Sequence, residues 1–200
     1  VRPAGNRIQL GGVAYLLDKN KIELIRGTGK VISPTEIEVS TETRNSQLVT
    51  GNKLILATGS SPAALPGIIF DGDKFVTSDD LLNCTTPPQK LDIVGGGVIG
   101  IHFAVIFSAL GSQITIYEAL PEILPGIDEE VIAAIKRILK RKGVEIKTNA
   151  RFEAPMSCGK TLISVGRAPN TAGLEALNLK MEKRSIWANE KMGTSIPGVY

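Results

Sequence analysis

Aromatic side chains are scarce in this 200-residue chain, at 4%, with a single tryptophan. It therefore lacks the stacking faces on which single-stranded nucleic acid is held. Histidine occurs once, at His102, and cysteine twice, at Cys84 and Cys158, far apart in sequence. Neither a disulfide framework nor a metal-ligand pair can be read from them, so no metal site is expected. No apolar run approaches the length of a membrane span, and no apolar leader opens the sequence. A reducing, cytoplasmic setting without a membrane partner is the expectation.

A dominant charge is missing as well: 23 basic against 20 acidic residues leave a net +3. The densest cationic run, Lys136–Lys142, fits an amphipathic helix better than a phosphate track. Val131, Ile132, Ile135, Ile138 and Leu139 recur at helical spacing, with the cations mostly on the other face. Asp128, Glu129 and Glu130 open that helix, and Gly143 follows its basic end, so each charge complements the helix dipole. No nucleic-acid partner is expected.

Glycine, at 21 residues, and aliphatic side chains are abundant, in a chain 42% apolar and 22% charged. The length suffices for a sizeable core. Gly12–Lys21 reads as the tail of a helix. Lys21–Arg26 and Thr35–Thr41 alternate with period two, Leu48–Val49 lies in a third short strand, and Glu42–Ser46 is a polar turn. Together they predict an antiparallel meander. Lys53–Ala57 is a short apolar run of the kind buried in a parallel sheet. Ser61–Pro88 reads as a connector, with a boundary at Thr85–Gln89. From there the chain alternates strand and helix: Leu91–Val94, Val98–Leu110, Gln113–Tyr117, Asp128–Lys142 and Val144–Thr148. This alternation predicts a parallel sheet with right-handed crossovers.

Within that series, LDIVGGGVIG places Gly95, Gly97 and Gly100 at Gly-x-Gly-x-x-Gly spacing. The pattern alone is weak, but here it follows an apolar strand and opens a helix. The next strand ends on Glu118, about twenty residues on, where a ribose-binding acid belongs in this kind of unit. Gly95 suits the tight turn, Gly97 a close approach of backbone to a pyrophosphate, and Gly100 close helix–sheet packing. The helix N-terminus favours phosphate charge. Glu118 accepts from ribose hydroxyls and repels a 2′-phosphate, and no arginine follows it in Ala119-Leu120. NAD is expected over NADP.

The stretches RGTGKV, LILATGSSP, LPG before DGDKFVTSDDLL, IVGGGVIG, ITIYEALPEILPGIDEE and LISVGRAPNT resemble, in that order, the dihydrolipoamide dehydrogenase family of the pyridine nucleotide–disulfide oxidoreductases. The resemblance runs from about Gly12 to Tyr200. It implies an α/β fold: a Rossmann-like NAD domain with a parallel sheet, joined to an antiparallel β-meander and a remnant of a FAD domain. The segments would be 1–89 (partial FAD domain, meander and connector), 90–170 (NAD domain with an internal deletion) and 171–200 (return towards the FAD domain). By resemblance, the turn residues Gly95, Gly96, Gly97, Val98, Ile99 and Gly100 hold NAD with Glu118. Phe152 flanks the adenine and Gly166 approaches the nicotinamide. Gly29, Thr58, Gly59 and Ser60 lie on the FAD side. His102 stands near both cofactors, where the family usually has Glu.

Departures from the family pattern are as informative. The flavin domain's own glycine motif, the paired redox cysteines and the carboxy-terminal acid–base histidine have no counterpart here, so no catalytic residue is assigned. Only about a dozen residues separate Thr148 from Leu162. Fully extended they reach roughly 35–40 Å, enough to cross three or four strand spacings. The shortened crossover is expected to leave one apolar sheet face under-covered. Three readings follow: an incomplete dihydrolipoamide dehydrogenase inactive alone, a standalone NAD(H)-binding module, or a fragment that binds another copy or the enzyme's missing segments.

Overall fold

The structure, a computed structural model, describes residues 4–41, 45–152 and 159–200. The amino-terminal part holds α1 (Ala4–Lys19), β1 (Thr28–Ser33), β2 (Glu36–Ser40), β3 (Ser46–Thr50) and β4 (Ser60–Pro62). The middle holds β5 (Phe75–Val76), α2 (Ser78–Leu82), β6 (Lys90–Val94), α3 (Val98–Ala109), β7 (Gln113–Tyr117), α4 (Glu129–Arg141), β8 (Glu145–Lys147) and β9 (Lys160–Ile163). Three short strands follow: β10 (Arg167–Pro169), β11 (Met181–Glu182) and β12 (Ser185–Ile186). The chain forms two compact units, 1–60 with 169–200, and 61–168.

In the first unit β1, β2 and β3 make an antiparallel meander, with Val31 opposite Ile37 and Ile37 opposite Val49. Val31 packs with Leu54, Leu174, Leu177 and Val199, and its N–H donates to the Gly173 carbonyl at 3.0 Å. The meander forms as the alternation predicts, but its first strand lies at Thr28–Ser33 and not at Lys21–Arg26. Ile22 and Leu24, which carried that expectation, are about half exposed. The tight turn at Pro34-Thr35 sets the hairpin register instead, so the strand facing β2 must end at Ser33. Lys53–Ala57 forms no strand; its ordered feature is one parallel bridge between Leu54 and Val199. Part of the expected turn at Glu42–Ser46 lies outside the described residues.

The second unit is a five-stranded parallel sheet in the order β5-β9-β6-β7-β8. Its strands and helices from β6 to β8 fall where the periodicity puts them. One sheet face carries Val76, Leu162, Leu91, Ile93, Ile114 and Ile116, paired across neighbouring strands. It buries them against Ile101, Ala104 and Phe107 of α3 and Ile132 and Leu139 of α4. Helix α4 starts where Asp128 accepts from the Glu130 N–H at 2.9 Å and carries Lys140 and Arg141 in its last turn, so caps and charges agree with the dipole.

The other sheet face, expected to be apolar, is mixed in character. Register aligns Phe75, Thr161, Asp92, Thr115 and Glu145 in one row across all five strands. That row is mostly polar, whereas the next row on the same face, Ile163, Val94 and Tyr117, is apolar and buried. From edge strand β8 the chain returns to β9, three strand spacings away, about 14 Å; residues 153–158 of that return, Cys158 included, lie outside the described residues.

The division into units also differs from the sequence reading, which placed boundaries at 89/90 and 170/171. Residues 61–89 are not a bare connector. Val76 pairs with Leu162 in the sheet, and Leu81 of α2 is buried in the same core. Helix α2 is closed by a capping box in which Thr77 and Asp80 satisfy each other's backbone N–H.

Candidate functional site

The turn between β6 and α3 occupies the carboxyl end of the central strands, where parallel α/β sheets bind ligands. Gly95 has φ +106, and a Cβ there would lie 2.5 Å from the Ser164 carbonyl oxygen. Its N–H donates to Tyr117 O at 2.8 Å, and Ser164 Oγ donates towards Val94 O and Gly95 O at 3.0 and 3.1 Å. The turn is thus pinned between β7 and β9. A Cβ on Gly100 would collide with the Gly95 carbonyl oxygen, and one on Gly96 would come within 2.7 Å of Ile123.

Gly97 differs from these three: a Cβ there would meet nothing within 4 Å. The fold's packing does not require glycine at this position. What glycine provides is open space above the first turn of α3, on the wall of a cleft of about 990 Å³.

Glu118 directly follows β7 and is 8% exposed. Its Oε2 accepts from the Gly96 N–H at 2.7 Å and its Oε1 from the Leu120 N–H at 2.8 Å. The carboxylate is therefore held in one orientation by two backbone donors, with its other lone pairs available to a ligand in the cleft. The Glu118 carbonyl accepts from Ala150 N–H and the Leu120 carbonyl from Asn149 N–H, both at 3.0 Å. These bonds draw the segment after β8 to the cleft. Phe152 joins its wall and packs edge-to-face with Tyr117 and with Phe75, each at 6.3 Å between ring centroids. The Lys147 ammonium lies 5.2 Å from the Tyr117 ring centroid. Tyr117 first, and then Glu145, hold it above the usual lysine range.

The structure gathers Gly95, Gly97, Val98, Ile99, Glu118, Phe152 and Gly166 around this one cleft. Gly96 and Gly100 stand just behind the wall as parts of the turn. His102 is not brought to it: the side chain is exposed and lines a separate groove between α3 and α4. Gly29 and Thr58–Ser60 belong to the other unit. Gly29 lies within β1. Thr58 Oγ1 donates to Asn170 O at 2.6 Å, and Asn170 Nδ2 donates back to Thr58 O at 3.1 Å.

Sequence reasoning assigned no site role to Leu65-Pro66-Gly67-Ile68, Ser164 or Arg151, all of which line the cleft. The turn at Leu65–Ile68, closed by an N–H···O bond of 3.0 Å, carries a Pro-Gly signal, but no spacing rule ties it to the glycine motif. Arg151 supplies the single cationic side chain among the lining residues. It reaches the Glu118 end through the β8 connection and not through the strand after which an arginine was sought. Among the described residues no group of histidine, cysteine and carboxylate side chains is placed to hold a metal, and no helix is long and apolar enough to cross a membrane.

Comparison with known proteins agrees with this architecture. Dihydrolipoyl dehydrogenase of Acholeplasma laidlawii is 38% identical over 208 residues, which cover 94% of this chain and 60% of that protein. The enzyme of the same name from Thermus scotoductus is 36% identical over 95% of this chain and 45% of its own length. The chain thus spans about half the length of the curated relatives it matches. Among solved structures, the HOCl-induced flavoprotein disulfide reductase RclA of Escherichia coli superposes with a TM-score of 0.82 at 26% identity. The match covers 98% of this chain and 48% of that one. LpdA of Mycobacterium tuberculosis, at 23% identity and a TM-score of 0.86, shares the fold. Residues 5–200 match the pyridine nucleotide-disulphide oxidoreductase family, and the chain belongs to it.

Proposed function

We propose that this chain is the NAD(H)-binding part of a dihydrolipoyl-dehydrogenase-like flavoprotein, and that by itself it binds NAD(H) without oxidising a dithiol. Gly97 carries the reading. The other three glycines of the turn are accounted for by collisions inside the fold, whereas Gly97 leaves open space on the cleft wall, where a ligand could approach the backbone. A dinucleotide's pyrophosphate suits that space, since the free N–H groups and dipole at the start of α3 favour its charge. Glu118 would receive the adenosine ribose hydroxyls, Phe152 would flank the adenine, and Gly166 would lie towards the nicotinamide. When bound, the nicotinamide supplies a hydride acceptor or donor.

Dithiol oxidation needs a pair of cysteine sulfurs in exchange distance. Cys84 and Cys158 are the chain's two cysteines and stand 74 positions apart, and Cys84 packs against the apolar core of the second unit. On the FAD side, Gly29 and Thr58 are engaged within their own unit. Gly59 takes φ +72, a Cβ on Gly29 would make an ordinary 3.5 Å contact with Ile37, and Thr58 is bonded to Asn170. The chain by itself is therefore proposed to take up no flavin.

Calorimetric titration with NADH, repeated with NADPH, tests the proposal. Saturable NADH binding that Glu118→Ala abolishes is the expected result. NADPH should bind more weakly, because Glu118 repels the 2′-phosphate; Arg151→Gln should widen that gap by removing the one cationic side chain that lines the cleft. A folded chain that binds neither nucleotide would overturn the assignment.

A further inference from the structure

Phe152 lines the cleft from a segment that belongs to no strand or helix. The main-chain bonds that tie this segment to the end of β7 are those of Asn149 to Leu120 and of Ala150 to Glu118. Phe152 lies two residues beyond the second of them. A ring so placed keeps one orientation only if side-chain contacts offset the entropy of ordering it.

Two rings make those contacts. Phe152 meets Tyr117 at 6.3 Å and 71°, and Phe75 at 6.3 Å and 88°. Edge-to-face pairs of this kind are favoured by the ring quadrupoles, so they fix angle as well as distance. Tyr117 ends β7 and Phe75 begins β5, and β6 and β9 run between those strands in the sheet. Three strand spacings amount to about 14 Å, and Phe152 bridges that span.

Phe75 differs from the other two rings, because Tyr117 and Phe152 line the cleft and Phe75 does not. Its own place is fixed several times over. Its N–H donates to Asp71 Oδ1 at 2.9 Å, and its carbonyl accepts from the Asp71 N–H at 3.1 Å. Register sets it beside Thr161, and the Lys74 ammonium lies 5.6 Å from its ring centroid. Val76, next in the chain, is buried in the core. A ring anchored in this way can orient its neighbour without meeting the ligand itself.

We infer that Phe75 is a positioning residue for nucleotide recognition: with Tyr117 it holds the Phe152 ring in the orientation that flanks the adenine. The inference rests on the dinucleotide reading of the cleft. A purine that meets a ring already oriented binds without the entropy loss of ordering it.

Calorimetric titration of the full chain with NADH tests it, on the wild type, Phe75→Leu, Phe75→Tyr, Phe152→Leu and the double variant Phe75→Leu with Phe152→Leu. Phe75→Leu keeps an apolar side chain on β5 but no ring. It should weaken NADH binding about threefold to tenfold, the scale set by ordering one side chain. Phe75→Tyr, which keeps the ring, should bind as the wild type does. In the Phe152→Leu background Phe75→Leu should weaken binding no further, since a residue that acts through Phe152 then has nothing to position. Such non-additivity marks coupled neighbours. Phe75→Met serves as a second ringless variant, with melting curves showing which of the two is folded at the titration temperature. Wild-type affinity in a folded ringless variant would overturn the inference and leave the dinucleotide reading standing. So would a Phe75→Tyr as weak as Phe75→Leu, or equal losses from Phe75→Leu in both backgrounds. A folded wild-type chain that binds no NADH would remove both.

Discussion

Four glycines lie in the turn at residues 95–100, and their substitution should have different consequences. Gly97→Ala adds a methyl group to empty space at an ordinary backbone conformation, so the melting temperature should hold while NADH affinity falls about tenfold or more. Gly100→Ala drives a methyl group into the Gly95 carbonyl oxygen. Forcing a group into a packed site costs about 1–3 kcal/mol, so this variant should melt earlier and bind less. Paired melting and titration data on the two variants check the distinction; equal loss of stability would remove the case for a ligand-facing Gly97. Glu118→Gln is the complementary experiment. Both carboxylate oxygens face backbone N–H donors, and an amide presents only one acceptor. The other donor would be left against an NH₂ group, at about 1–3 kcal/mol. This near-isosteric change should therefore lower the melting temperature as well as the affinity.

Among the elements, stability at low pH has a local signature at the entry to β5. Asp71 Oδ1 accepts from the N–H groups of Asp73, Lys74 and Phe75 at 2.8–2.9 Å. The Asp73 and Phe75 bonds lead in holding its carboxyl below the usual carboxylate range. A native value below the unfolded one gives stabilisation that is complete above the unfolded value and is lost as pH falls through the native one. Asp71→Asn should flatten the acid limb of the stability profile in denaturant titrations from neutral pH downwards. An unchanged limb would show that the turn forms without the charge. The same region shows what the sequence did and did not make legible. Residues 90–148 were readable because helical and strand periods, the Asp128 cap and the glycine turn all agree locally. Strand β5, with two residues, offers no period; it exists only because Thr161 and Leu162 pair with it. The first meander strand was misplaced because alternation at Ile22 and Leu24 competed with a hairpin register set downstream at Pro34. At the site, Glu118 was legible by its distance from the glycines. Arg151 and Ser164 were not, since main-chain bonds that no local pattern encodes bring them to the cleft.

At the scale of the whole molecule, the two units differ in what ligand binding should do to them. Every residue lining the glycine-turn cleft falls within 61–168, although the family match extends over 5–200. A ligand that binds only the native cleft suppresses the local openings that expose its backbone amides, by its mass-action stabilisation of the closed form. Hydrogen exchange with and without saturating NADH should therefore slow at residues 95–100, 118–120, 149–152 and 164–166. Peptides covering β1, β2 and β3 should exchange at unchanged rates, because their hydrogen bonds close within the meander and its own return segment. The same comparison on Gly97→Ala, at equal nucleotide concentration, should lose the protection in proportion to its lost affinity. Protection that instead centred on Gly29 and Thr58–Ser60 would place the nucleotide in the other unit. The open space above Gly97 would then need a different explanation.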